Sequence, residues 1–112
     1  MRILNTLLVL TMSLSSLAQV GLYTQLGADI DGEAAGDYSG HSVSLSADGT
    51  ILAIGADGND GNGTSSGHVR VYELSNSSWS QLGADINGEA ADDLSGWSVS
   101  LSDDGTIVAI GA

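Results

Sequence analysis

The chain has 112 residues, room for one small domain, and a formal net charge of −12 from 14 Asp+Glu against 2 Lys+Arg. It has no Cys, which excludes a disulfide scaffold, a thiolate metal site and a cysteine nucleophile. Its basic residues are Arg2 and Arg70 alone, so it offers no basic face to phosphates and no nucleic acid is expected as a partner.

The first segment reads as an address. Met1-Arg2 is a minimal positive start, and the uncharged apolar stretch Ile3–Leu17 follows it. Ser16-Leu17-Ala18 then sets small residues at −3 and −1 of a cleavage point before Gln19. That is the secretory pattern, so residues 1–18 are read as a signal peptide and 19–112 as an exported chain. A membrane anchor is the weaker reading. The stretch is interrupted by Asn5, Thr6, Thr11, Ser13, Ser15 and Ser16 and falls short of the ~20 apolar residues a span needs. No membrane span is expected after cleavage. With 42% hydrophobic residues and scattered charge, the remainder is expected to fold.

The body is a repeat. Gln25–Ala56 and Gln81–Ala112 differ at only six positions, 31, 36, 38, 41, 47 and 52, and the copies lie 56 residues apart. Unit 25–80 is complete and unit 81–112 is partial. A period of this length points to a propeller, solenoid or array.

Within the unit the period is that of strands. Val43 and Leu45 alternate with Ser42, Ser44 and Ser46. Asp48-Gly49 predicts a tight hairpin, because glycine takes the positive φ of primed turns. Ile51–Ile54 is continuously apolar, which suits a strand buried on both faces. Asp57–Gly67 reads as a long loop, His68–Leu74 as a third strand and Trp79–Ile86 as a fourth. Leu22–Ile30 matches that fourth strand and is expected to be one as well. No stretch of 19–112 has helical periodicity. The expectation is an all-β fold of four-stranded antiparallel β-propeller blades, with about one and a half blades present. The serines of Ser42–Ser46 would let neighbouring blades approach closely. Closing a ring would need further blades from a longer chain or self-association.

Ser39-Gly40-His41-Ser42-Val43 and Ser95-Gly96-Trp97-Ser98-Val99 precede the first strand of each copy, and Gly55-Ala56 and Gly111-Ala112 end the second. In order and spacing these elements resemble the FG-GAP repeat of integrin-α-type β-propellers, in a variant of secreted bacterial proteins. Ser stands for the family's Phe, and Asp57 for its Pro. The resemblance covers 22–112. It implies a ring of about seven blades and a role in extracellular adhesion. Blades of this type place an Asp/Asn-rich calcium loop between their first two strands. Here only Asp48-Gly49 and Asp104-Gly105 remain of it, so these acids are read as turn formers.

Two other acidic groups are candidate sites. Asp29, Asp31, Glu33 and Asp37 recur in part as Asp85, Glu89 and Asp93. They lie on the connector between blades, and copies would line up on one rim. They are read as ligand- or cation-binding candidates, against the blander reading of a solvated connector. Asp57, Asn59 and Asp60 are oxygen donors that could hold Ca2+, against a simple turn. They do not make an EF-hand, since Asn62 and His68 replace the required Gly and Glu. Tyr38, Tyr72, Trp79 and Trp97 could form a sugar platform, but such rings more often serve blade packing, being the large side chains available in a Phe-free chain. His41 is matched by Trp97 in the second copy and reads as a position for a large ring. No catalytic constellation is recognisable. The functional expectation is a secreted, non-catalytic binding or adhesion segment with an extracellular protein or glycan as partner. The alternatives are a non-catalytic module of a secreted carbohydrate-active enzyme and a structural spacer.

Overall fold

The structure is a computed structural model that describes residues 23–112. The signal peptide expected over 1–18 lies outside them. Every regular element among the described residues is a strand, and no helix there is long and apolar enough to cross a membrane. The strands are β1 (Ser42–Leu45), β2 (Ile51–Ala56), β3 (His68–Ser75), β4 (Ser78–Gln81), β5 (Ile86–Asn87), β6 (Ser98–Leu101) and β7 (Val108–Gly111). β1-β2-β3-β4 form an antiparallel sheet with β5 also paired to β3, and β6-β7 form a second sheet. The all-β, four-stranded blade expected from the unit is therefore present. The second copy supplies the first two strands of the next.

The repeat is conformational as well as chemical. Gly27 and Gly83 have φ 74° and 72°, Gly40 and Gly96 89° and 91°, and Gly49 and Gly105 75° and 72°. Tyr38 and Leu94 match at 57° and 56°, and Gly36 at 87° is answered by Asp92 at 67°. The substitutions at 36 and 38 thus leave the backbone unchanged, and Asp tolerates the left-handed region better than most residues.

The β1–β2 hairpin differs from the expected two-residue primed turn. A type I′ turn needs positive φ at both central residues and a type II′ turn at the first, and here only Gly49, the second of the Asp-Gly pair, has it. Asp48 instead closes a longer loop with its side chain. Its Oδ1 accepts from Ser46 Oγ (2.9 Å), Thr50 N (3.0 Å) and Thr50 Oγ1 (2.8 Å). Asp104 does the same with Ser102 Oγ (2.8 Å), Thr106 N (3.1 Å) and Thr106 Oγ1 (2.7 Å). Both acids are turn formers, as expected. The Thr hydroxyl, the Thr amide and the Ser hydroxyl hold each carboxyl below its ordinary 3.8.

Identical Ser-Val-Ser-Leu strands are buried oppositely in the two units. In β1 the serines are half-buried and Val43 and Leu45 exposed; in β6 the serines are exposed and Val99 and Leu101 half-buried. The serine face of β1 meets β6 across a seam. Ser42 Oγ donates to Gly96 O (2.6 Å), Leu101 N to Ser44 Oγ (3.0 Å) and Ala47 N to Asp103 O (2.8 Å). Gly55, paired with Ser42 in the register, lies so close to the Gly96 carbonyl that a Cβ would collide with it. Small residues therefore do permit close approach of the units. The core is small: Ala53, Ile54, Ala56 and Val69 are its buried hydrophobics. Val43 and Leu45 stay open, at 59% and 56% exposure.

Two expectations need correction. The fourth strand is broken into β4 and β5. Gly83 turns with positive φ, and the four residues Leu82–Asp85 face only Arg70 and Val71 of β3. Such a bulge re-aims side chains, and this one directs Asp85 at Arg70. The described part of the matching segment, Tyr23–Ile30, is not a strand. Among the described residues it pairs with no strand. It rests on β4 instead, where Trp79 Nε1 donates to Leu26 O (2.9 Å).

Candidate functional site

Asp57–Gly67 is a loop between β2 and β3, as expected, and it is packed. Asp57, Asn59 and Ser66 are buried. The loop holds the next unit's connector by backbone bonds: Gly88 N to Gly67 O (2.8 Å), Ser95 N to Ser66 O (2.9 Å) and Leu94 N to Ser65 O (3.0 Å). Asn62 Nδ2 adds bonds to Gly88 O (2.8 Å) and Glu89 O (3.0 Å). Gly67 and Gly88 are required because the neighbouring backbone touches them.

On one side of this scaffold, a groove of about 510 Å³ runs over the seam, lined by Tyr38, Ser39, Gly40, His41, Asp57 and Trp97. Its rings are presented to solvent: Tyr38 is 68% and Trp97 55% exposed. Asp57 Oδ1 accepts from His41 Nδ1 at 2.6 Å and fixes the ring. His41 meets Trp97 edge-on, with centroids 4.8 Å apart and an interplanar angle of 86°. Positions 41 and 97 are thus repeat equivalents that touch across the seam. Both do hold large rings. The His41–Asp57 pair was not foreseen; its only sequence signal is the Asp that stands after Gly55-Ala56.

On the other side lies a polar hub. Asn59 Nδ2 donates to Asp37 Oδ2 (2.8 Å) and Glu33 Oε1 (3.2 Å). Arg70 pairs with Glu33 through Nη2 and Oε2. It also clasps Asp85, Nε to Oδ1 at 2.8 Å and Nη2 to Oδ2 at 3.0 Å. Gln81 Nε2 donates to Asp85 Oδ1 (2.7 Å). Burial acts to raise the Asp85 carboxyl, but the Gln81 and Arg70 hydrogen bonds and the Arg70 charge outweigh it and hold the group below its ordinary 3.8. Burial likewise opposes the Arg70 charge, and Asp85 outweighs it, so the guanidinium is raised.

Glu33, Asp37, Asn59 and Asp85, four of the acidic and amide candidates, therefore come together. The others do not join them. Asp29 accepts from Gln25 Nε2 (2.8 Å) and, with Asp31, lines a separate hollow beside Tyr72 and Trp79. Glu89 is exposed on the far connector, and Asp93 caps its own turn by accepting from Ala90 N (2.9 Å). Asp57, Asn59 and Asp60 do not converge on a common point. Asp57 faces His41, Asn59 faces Asp37 and Glu33, and Asp60 accepts from Ser65 N (2.7 Å).

No curated protein and no solved structure matches the chain. A family model described as the FG-GAP repeat matches residues 28–72, from the connector ahead of β1 into β3. That span holds the connector, hairpin and buried strand of the first blade, and over it the chain is similar to the FG-GAP repeat, a repeat of the β-propeller blade type.

Proposed function

We propose that the chain is a secreted, non-catalytic binding segment that engages an extracellular glycan or protein through the groove over the seam. The groove carries this reading. It sets two exposed aromatic rings, Tyr38 and Trp97, beside a fixed His41–Asp57 pair. Aromatic faces pack on the apolar faces of sugars, and a rigid carboxylate accepts hydroxyl donors, so a glycan fits this chemistry best. The leader-like segment 1–18 supports export, and the net charge of −12 suits an exterior protein that avoids polyanions. The exposed Val43 and Leu45 support packing of a further blade on β1, from a longer chain or from another copy.

The test is binding of the chain to a panel of neutral matrix glycans and extracellular proteins, with Trp97→Ala as the probe. A glycan bound by the chain and lost in Trp97→Ala supports the reading. Equal binding by both forms, or binding to no member of the panel, contradicts it.

A further inference from the structure

The start of β3 holds a buried histidine, His68. His68 is 4% exposed, and its Nδ1 is buried with no hydrogen-bond partner among the described residues. That nitrogen points at Asp85 Oδ2 from 3.8 Å, too far for a hydrogen bond and near enough for a shared ion. Glu33 approaches from the connector ahead of β1. Each of the three residues offers one ligand atom within 4.8 Å of the others. We propose that Glu33, His68 and Asp85 form a binding site for a divalent transition metal of the zinc class.

The donor set selects the metal. One imidazole nitrogen and two carboxylates suit zinc, whereas calcium takes six to eight oxygens and has little use for imidazole. Three protein ligands leave a fourth position for water or a ligand group. Two atoms each ~2.1 Å from one ion lie at most ~4.2 Å apart, so the group closes slightly on binding. Glu33 is the ligand free to make that move. It sits outside the strands, and its side chain is 44% exposed.

The surrounding donors orient the ligands without using His68 Nδ1. Arg70 bonds both Asp85 oxygens and Glu33 Oε2, Gln81 bonds Asp85 Oδ1, and Asn59 bonds Glu33 Oε1. Such outer bonds fix carboxylates for coordination. The Arg70 charge offsets one of the two carboxylates, so affinity is lower than at a site with both charges free. The site is separate from the groove, whose histidine is His41.

The experiment titrates the full chain with zinc chloride by calorimetry, with circular dichroism to check that each variant is folded. Cobalt absorption and the ¹⁵N shifts of the histidine rings report the ligands. Saturation at one zinc per chain, with the His68 ring nitrogens moved and those of His41 unmoved, is expected. Glu33→Gln, a partly exposed change that leaves the fold intact, weakens zinc at least about tenfold. His68→Asn removes binding, and His41→Asn leaves it unchanged. Absence of saturable binding overturns the proposal. So does binding that survives Glu33→Gln and is lost in His41→Asn.

Discussion

Gly55→Ala tests the packing of one unit on the next. Gly55 lies in β2 with an ordinary extended φ, so alanine has no backbone strain to meet there. An added methyl would instead meet the Gly96 carbonyl and Ser42 Oγ. The carbonyl belongs to the connector of the next unit and cannot rotate away. Overpacking of this kind costs about 1–3 kcal/mol. Displacing Ser42 Oγ from Gly96 O adds about 1 kcal/mol, for an expected loss of about 2–4 kcal/mol. Gly111→Ala is the matched control. It has the same local sequence, but its methyl would meet only Ser98, chiefly at the rotatable hydroxyl. Its effect is expected within about 1 kcal/mol of zero, since alanine also lowers the entropy lost on folding. Urea unfolding of both variants, compared at equal slope, gives the difference directly. Equal midpoints for Gly55→Ala and Gly111→Ala would refute the reasoning, because only the seam distinguishes the two sites.

Other outcomes follow from the same contacts. Ser44→Ala leaves the Leu101 amide without its acceptor, and a loss of about 1–3 kcal/mol is expected in the same assay. Leu101→Ala should cost about 1–2 kcal/mol more than Leu45→Ala at low protein concentration, because Leu101 is packed at the seam and Leu45 is 56% exposed. Equal costs would mean that β6 does not pack on β1. The Asp48 and Asp104 carboxyls are depressed in the folded state. Their contribution is complete above the ordinary value of 3.8 and is lost as pH falls through the lower folded values. Stability of the wild type should therefore fall more steeply than that of Asp48→Asn/Asp104→Asn below about pH 4. Parallel curves would contradict that assignment.

Repetition made the fold legible. Two near-identical copies had to share one backbone, and the paired φ values at 27/83, 38/94, 40/96 and 49/105 are what that demands. The alternating Ser-Val-Ser-Leu strand and the apolar Ile51–Ile54 run gave the sheet its two faces. Much less of the site could be read, for physical reasons. Arg70 joins Glu33, 37 residues before it, to Asp85, 15 residues after it. No local pattern reports such a meeting. The Leu82–Asp85 bulge that aims Asp85 at Arg70 is hidden in a run that reads as continuous strand. The His41–Asp57 pair was obscured because Trp97 at the equivalent position suggested a purely steric role. Gly, Asn and Asp are turn residues, so Asp57–Gly67 reads as a loop without any sign of its packing. Its glycines admit the connector of the next unit, a constraint visible only when both units are in place.

The central claim is that the two copies are successive blades packed through the serine face of β1. Amide hydrogen exchange at Ala47 and Leu101 tests it most directly. Both amides donate across the seam, Ala47 to Asp103 O and Leu101 to Ser44 Oγ. If the units pack as described, both amides exchange far more slowly than in an unstructured peptide, and Ser44→Ala removes the protection at Leu101. Exchange at free-peptide rates in a chain whose β2–β3 amides remain protected would show that the first blade folds alone, and would contradict the account.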